Sequence, residues 1–293
     1  MKEKYLIVSA DDIGISEPVT DGILMAHREG IVTSTSLMVN TGDSERAACL
    51  AGQTSSLDVG LHLNITEGKP ILSPRDVPTL VNGSGEFLTK TEMISRIKRF
   101  RVNPHHMEAE FAAQMKKILE SGLRPTHLDS HHHIHIYPLS AWVFKGIAMR
   151  FGVRKARMTR YYMTPDSKDG RKDAKPPYYR RRSVIASKNI LKTLIHKTLW
   201  RNLICPRYSI ITPILSSTAD ALGILAKWVQ LLSGLPEGVC EATSHPSLDS
   251  GGGLRPSPFG KLRAWELEAL TSPEIMKTIR DSNVQLMSFR ELR

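Results

Sequence analysis

Apolar positions along the chain follow two spacings in turn. Runs that are apolar throughout, or apolar at every second residue, stand at 5–10, 31–39, 57–65, 124–130, 153–160, 209–214, 238–246 and 284–288. Between them, apolar residues recur every three to four positions, at 18–30, 44–51, 92–100, 104–121, 139–152, 219–232 and 262–270, and a further helix opens at Ser272-Pro273-Glu274. The first spacing is that of a strand and the second that of a helix packed on one face. Pro18 and Pro104 fall where helices start, and Gly30, Gly52 and Gly122 where they stop. The repeat of strand and helix predicts a mainly parallel sheet. A chain of 293 residues with 41% hydrophobic content has the size and core of one α/β barrel.

Two stretches break the pattern. Residues 71–90 carry Pro74, Pro78, Gly83 and Gly85 and read as a long loop over the barrel mouth, suited to a substrate wall or lid. Residues 161–182 carry Pro165, Gly170, Pro176, Pro177, four tyrosines and the run Arg180-Arg181-Arg182. A helical spacing follows to 204, with Ile190, Leu191, Leu194 and Ile195 apolar, Lys188, Lys192, Lys197 and Arg201 between, and Trp200 near the end. The expectation is a single domain over 1–293 with a basic insertion at 161–207. Its helix suits an anionic membrane surface or a partner groove, or equally a solvated face packed on the barrel.

Charge sharpens this division. The net charge is +11, yet 16 Lys and Arg against 3 Asp and Glu lie between Arg154 and Arg207, leaving 24 basic and 26 acidic residues elsewhere. One surface is basic and the fold as a whole is not, which argues against a nucleic-acid-binding protein. Cys49, Cys205 and Cys240 form no CxxC pair, and the N-terminal apolar run is short for a signal peptide. A cytoplasmic protein is expected, with peripheral contact at the inner face of the membrane through the basic segment as an extension of that reading. No apolar run reaches the length of a membrane span.

The chemistry concentrates in Thr126-His127-Leu128-Asp129-Ser130-His131-His132-His133-Ile134-His135, where five histidines and one aspartate fall within ten residues. Imidazoles bind borderline metals, and a carboxylate completes or orients such a site. An extended backbone here would turn His131, His133 and His135 one way and His132 and Ile134 the other. At most one or two of them then reach a single ion. Other strand ends supply more. Asp11-Asp12 closes the first strand, and two adjacent carboxylates repel unless a cation separates them. His62 lies near the end of the third strand and His245 at the end of the last buried one, where barrel enzymes keep their chemistry. His105 and His106 read as surface residues.

The pieces Ala10-Asp11-Asp12-Ile13-Gly14, Gly30-Ile31-Val32-Thr33-Ser34-Thr35-Ser36, Gly60-Leu61-His62-Leu63, the histidine stretch, Ser244-His245-Pro246 and Arg263-Ala264-Trp265-Glu266-Leu267 occur in this order. Together they resemble the YdjC-like carbohydrate deacetylases, which include chitooligosaccharide deacetylase and hopanoid-biosynthesis deacetylases. The resemblance covers nearly the whole chain and is weakest over about 161–207. It implies a distorted, TIM-like (β/α) barrel and one divalent metal ion held by Asp12, His62 and His131. Asp11 is then the general base and His245 the general acid, a role that asks for a pKa near neutrality. Arg263 falls where the family keeps an arginine near the site, and His133 is placed with it against substrate. The implied metal is Mg, while two His and one Asp also suit Zn, Co or Mn. The implied activity is hydrolytic removal of the N-acetyl group from an acetylated amino sugar, on an oligosaccharide or a glycolipid; an oligomer is compatible with all of this. Two other readings stand beside it. A metal-dependent phosphoesterase would use the basic segment for phosphate, but wants a second ligand set that is not legible. A non-catalytic basic binding protein with a structural metal would have no use for Asp11 or His245.

Overall fold

All the strand pairing in the main sheet is parallel. The computed structural model describes residues 3–157, 200–211, 220–248 and 260–293. Its strands are β1 (Lys4–Ile13), β2 (Ser34–Leu37), β3 (Asp58–Leu63), β4 (His127–Ser130), β5 (Lys155–Ala156), β6 (Tyr208–Ile211), β7 (Gly238–Ser244) and β8 (Val284–Leu286). They pair in the order β5-β4-β3-β2-β1-β7-β6, with β8 also on β1. β7 follows β1 along most of one edge. On the other edge β8 takes Lys4–Leu6 and β2 takes the stretch from Ser9 onwards, so the last strand of the chain slots in behind β2.

The sheet curls until its two edges nearly meet. Ala156 donates its N–H to the Ile204 carbonyl at 3.0 Å, and the Ile204 N–H reaches the Arg154 carbonyl at 2.8 Å. Ile204 therefore rides on the free edge of β5, and four residues later the chain is in β6 at the opposite edge. Four residues span at most about 14 Å. The expected distorted (β/α) barrel is thus present as an incomplete, TIM-like one.

Helices α1 (Glu17–Arg28), α2 (Ser44–Gln53), α3 (Lys90–Lys98), α4 (Pro104–Glu120), α5 (Pro138–Phe151), α6 (Ala221–Ser233), α7 (Gly260–Leu270) and α8 (Pro273–Asp281) flank the sheet. Their starts follow local chemistry. Thr89 and Glu92 form a capping box before α3, Asn103 accepts from the His105 N–H before α4, and Ser272 accepts from the Ile275 N–H before α8. Gly152 ends α5 in the left-handed conformation, φ 73°.

Alternation along the strands sorts the interior from the helix side. Leu6, Val8 and Ala10 of β1, Leu61 of β3, Leu128 of β4 and Cys240 and Ala242 of β7 join the large apolar cluster shared with the helices. The other face of the same strands carries Ile7, Ser9 and Asp11, then Gly60 and His62, His127 and Asp129, and Val239, Glu241 and Thr243. At the N-terminal end of the strands this inner face is closed by an apolar plug of Ile7, Phe289 and Leu292, with Val239 and Ile204 packed against it. A 3-10 turn, Phe289–Glu291, delivers that plug.

Several expectations change. The strand expected to stop at Ala10 runs through both aspartates to Ile13. The strand expected over 153–160 is only two residues long among the described residues. Of the basic segment 161–207, only 200–207 are described, and they do not continue a helix. Trp200 is buried, 5.6 Å from the Phe144 ring and 5.8 Å from that of His135, so it is not the exposed aromatic edge expected of a membrane-binding helix. Among the described residues no helix is long and apolar enough to cross a membrane.

Candidate metal centre and the residues around it

Because the strands are parallel, their C-terminal ends open on one mouth. Asp11 and Asp12 arrive there on β1, Ser36 on β2, His62 on β3, Asp129 and His131 on and after β4, Arg157 after β5 and His245 after β7. Adjacent residues of a regular strand point to opposite faces. Asp11 and Asp12 escape this because the pairing of β1 with β2 shifts between Asp11 and Ile13 and Asp12 has φ 74°. The bulge brings both carboxylates to the mouth.

Asp12 Oδ1 lies 2.9 Å from His131 Nδ1 and 3.5 Å from His62 Nε2, and the three ligand atoms are all within 4.8 Å of one another. Oδ1 is buried and has no hydrogen-bond partner of good geometry. An orphaned carboxylate oxygen facing two imidazole nitrogens fits the donor set of a divalent cation. The neighbours aim these atoms. His62 Nδ1 meets Asp129 Oδ1 at 2.6 Å, which turns Nε2 toward Asp12. Arg263 NH2 holds Asp12 Oδ2 at 2.6 Å from α7. Burial pushes the Asp12 pKa up, but His131, Arg263 and His245 outweigh it and hold the carboxyl well below its ordinary value. Burial would lower His62, yet Asp129, Asp11 and Asp12 reverse this and hold its pKa at about 9. Without a cation the site keeps a proton on His62, and a cation would displace it.

Beneath this trio lies a fully buried guanidinium. Arg157 NH1 and NH2 take the two oxygens of Asp11 at 2.6 Å each, NH2 takes Asp129 Oδ2 at 2.8 Å, and Nε takes Glu241 Oε1 at 2.7 Å. Ser36 links the same carboxylates, donating to Asp129 at 2.8 Å and to Asp11 at 3.3 Å. Burial disfavours the charge on Arg157, but the three carboxylates raise its pKa well above normal. In Glu241 burial dominates over Arg157 and lifts the pKa to about 7. Asp11, His62 and Asp129 also cluster as a cation could require. This corrects the expectation of no second ligand set, although Arg157 already bridges two of the three and His62 belongs to the first.

His245 Nε2 stands 4.0 Å from Asp11 Oδ2, and its Nδ1 is buried without a partner. Its backbone N–H donates to Glu266 Oε2 at 2.7 Å, from the same helix as Arg263. A Cβ on Gly22 of α1 would come within 2.6 Å of the Ser247 backbone, so the bare glycine lets the His245 turn lie against that helix. Burial lowers the His245 pKa to about 4, against the partial opposition of Asp12 and Asp11. That differs from the near-neutral acid expected, and His245 rests neutral at pH 7.

The histidine stretch is not a strand beyond Ser130. Residues His131–Ile136 form a 3-10 turn in which His132 and His133 have φ 55° and 53°. Two left-handed residues break the period of two that an extended backbone would give. His131 reaches Asp12, His132 Nδ1 meets the Thr66 hydroxyl at 2.9 Å, and His135 Nδ1 meets Ser130 Oγ at 2.5 Å among buried aromatic rings. His133, expected against substrate, is half-buried, and burial lowers its pKa to about 3, with Arg157 adding to the effect.

The model of the YdjC-like protein family matches residues 5–281. The chain belongs to that family. A carbohydrate deacetylase of Brevibacillus brevis is 32% identical over 288 residues, covering 98% of this chain and 99% of the relative. A chitooligosaccharide deacetylase of Serratia marcescens is 39% identical over 137 residues, covering 46% of this chain and 52% of that one. The crystal structure of an Enterococcus faecalis protein proposed for cellobiose-phosphate cleavage superposes with a TM-score of 0.76 at 26% identity, covering 98% of both chains.

Arg157, Glu241 and Ser36 carry the site from below and lie outside the set of site residues that the sequence predicts; Asp129 enters that set only within the histidine stretch. A charged residue inside an otherwise apolar strand, as Glu241 is between Cys240 and Ala242, is the signal that marks Glu241; Arg157 and Ser36 carry no such mark.

Proposed function

We propose that the chain is a metal-dependent carbohydrate N-deacetylase acting on an acetylated amino sugar. The observation that carries this reading is the convergence of Asp12 Oδ1, His62 Nε2 and His131 Nδ1 with Asp11 and His245 beside them. The kinship with carbohydrate deacetylases over nearly the full length supports the substrate class. Asp12, His62 and His131 would hold the divalent cation; Mg, Zn, Co and Mn all suit this donor set. When bound, the cation supplies Lewis acidity toward the acetamido carbonyl and the attacking water.

The chain's own residues supply the proton path. Asp11, its two oxygens fixed by Arg157, takes a proton from water. His245 rests neutral with Nε2 4.0 Å from Asp11 Oδ2, beyond hydrogen-bond reach, so a bridging water or a closer approach in the substrate complex would carry that proton to His245 Nε2 and from there to the departing amine nitrogen. The C–O bond to water forms first, giving a tetrahedral adduct at the acetamido carbon; the C–N bond then breaks as its nitrogen takes the proton, giving acetate and the free amino sugar. Arg263 NH1 is buried without a partner beside Asp12, which supports a role for Arg263, together with His133, in holding a polar group of the substrate. Arg157 also argues against a two-metal phosphoesterase, because its cationic group sits between Asp11 and Asp129, where a second metal would need those carboxylates.

The test is to load the protein with each candidate metal and incubate it with N-acetylglucosaminyl oligosaccharides and lipid-linked N-acetylglucosamine. Acetate and free amine should appear in equal amounts from at least one. Absence of acetate from all of them at full metal occupancy, or release of phosphate from phosphorylated sugars instead, would overturn the reading.

A further inference from the structure

A second group of buried polar side chains lies outside the ion pairs around Arg157. Asn64, Thr66, Glu110 and Gln114 are each no more than 1% exposed. Two belong to the turn that leaves β3, and two lie four residues apart on α4. Buried polar groups weaken a core unless their hydrogen bonds are completed, and here most of those bonds hold the segment 64–72. Gln114 Oε1 accepts the Asn64 N–H at 2.9 Å and Gln114 Nε2 donates to the Asn64 carbonyl at 2.6 Å, as a neighbouring strand would. The same Nε2 donates to Glu110 Oε1 at 2.8 Å. Glu110 in turn accepts the backbone N–H groups of Ile71 and Leu72 at 2.9 and 3.1 Å. Inside the segment, Asn64 Oδ1 accepts the N–H groups of Thr66 and Glu67 at 2.9 and 3.1 Å. One face of α4 thus fixes both ends of the turn that follows His62.

Thr66 is the point where this strap reaches the metal centre. Its hydroxyl is hydrogen-bonded to His132 Nδ1 at 2.9 Å. The His132 ring lies 4.0 Å from that of His131, and His132 and His133 are both left-handed. Such backbone is strained and persists where surrounding contacts impose it. Given the ligand set proposed above, on which this step rests, we propose that Thr66 and His132 form a positioning pair for the cation: Thr66, tied to α4 through Asn64, Gln114 and Glu110, locks His132 in its left-handed conformation and so presents His131 Nδ1 to Asp12 and His62. Neither residue touches the cation or the substrate. Helix α4, which carries no ligand itself, then sets the affinity of the site.

The experiment is a cobalt(II) titration of the full chain, followed by calorimetry and by the visible absorption of the bound ion. Thr66→Val keeps the shape of threonine and removes the hydroxyl; it should weaken cobalt binding by roughly 10-fold or more, the usual loss when a partner of a ligand is removed. Thr66→Ser should restore it. His132→Asn keeps a residue that tolerates the left-handed backbone but is too short to reach Thr66, and it should show the same loss and the same change in spectrum. The double variant should lose no more than the worse single one. If Thr66→Val does not fold, His132→Asn decides alone. Cobalt affinity within twofold of the parent in a folded variant, even with a lowered Tm, would overturn the pair's role, as would losses that add. If Asp12→Asn binds cobalt as the parent does, the ligand set itself falls, and the positioning pair with it.

Discussion

At the closed end of the barrel His127 stacks on Phe289, ring centroids 3.9 Å apart and 12° from parallel, and Asp58 accepts the Arg290 N–H at 2.7 Å. At the open end, on the same two strands, His62 and Asp129 hold each other at 2.6 Å and face Asp11, Asp12, His131 and Arg157. β3 and β4 therefore carry an aspartate and a histidine at each end, with opposite outcomes. The polar residues of the floor serve packing: His127 lies between Phe289 and the bare backbone of Gly60, and Asp58 pins the C-terminal turn. At the mouth the same residue types converge from several strands and leave ligand atoms facing one another. Parallel pairing is the cause, because it brings every strand's C-terminal end to one rim. Residue type alone does not separate the two sets; the end of the strand that each occupies does.

The comparison predicts that variants at the mouth lose turnover and keep their fold, while variants at the floor do the reverse. Asp11→Asn should show the largest effect, a fall in kcat of roughly 10²–10⁴ with cobalt stoichiometry unchanged. Turnover near that of the parent would show that Asp11 is not the base. Arg157→Met tests the layer between the two ends. It leaves Asp11, Asp129 and Glu241 buried without their shared partner and should cost about 3–5 kcal/mol in denaturant unfolding. A loss below about 1 kcal/mol would place the stability of this layer elsewhere.

At the floor, Gly60→Ala would set a Cβ 2.5 Å from the His127 ring. Destabilisation of about 1–3 kcal/mol is expected, with kcat per folded molecule preserved; a change in kcat would mean that floor and mouth are coupled. The smallest effect is one of pH. Glu241 has its pKa lifted to about 7 by burial, from an ordinary 4.5. The folded protein holds this extra proton between those values, so the associated stability is full below pH 4.5 and is lost as pH rises through about 7. Glu241→Gln removes the titration. The unfolding free energy of the parent minus that of the variant should therefore decline between pH 5 and pH 8, and a flat difference would contradict the assignment.

Much of the mouth was legible because its residues stand out by position. Asp11-Asp12, His62 and His245 each follow an apolar run, and Arg263 lies in a recognisable helix. The carriers were harder to see. Arg157 sits among other basic residues at the edge of the basic segment, where its charge looks like part of a solvated surface. It is instead fully buried, because the curled sheet brings the end of β5 within reach of β1 and β7. The histidine stretch misled in the opposite direction. Its composition announced a metal site, but alternation was the wrong rule for residues 131–136, where the chain leaves the sheet.

By itself, the sequence determined the parallel barrel, the strand ends that carry polar groups, and the residue types available to bind a cation. These follow from local periodicity and from which side chains lie next to which along the chain. The resemblance already named His131 beside Asp12; only the tertiary structure decided how the turn after β4 brings it there, that one arginine gathers three carboxylates, and that Thr66 answers to α4. Those outcomes depend on a bulge at Asp12, two left-handed histidines and the curl of the sheet. Each is set by contacts between residues far apart in the chain, which no local pattern records.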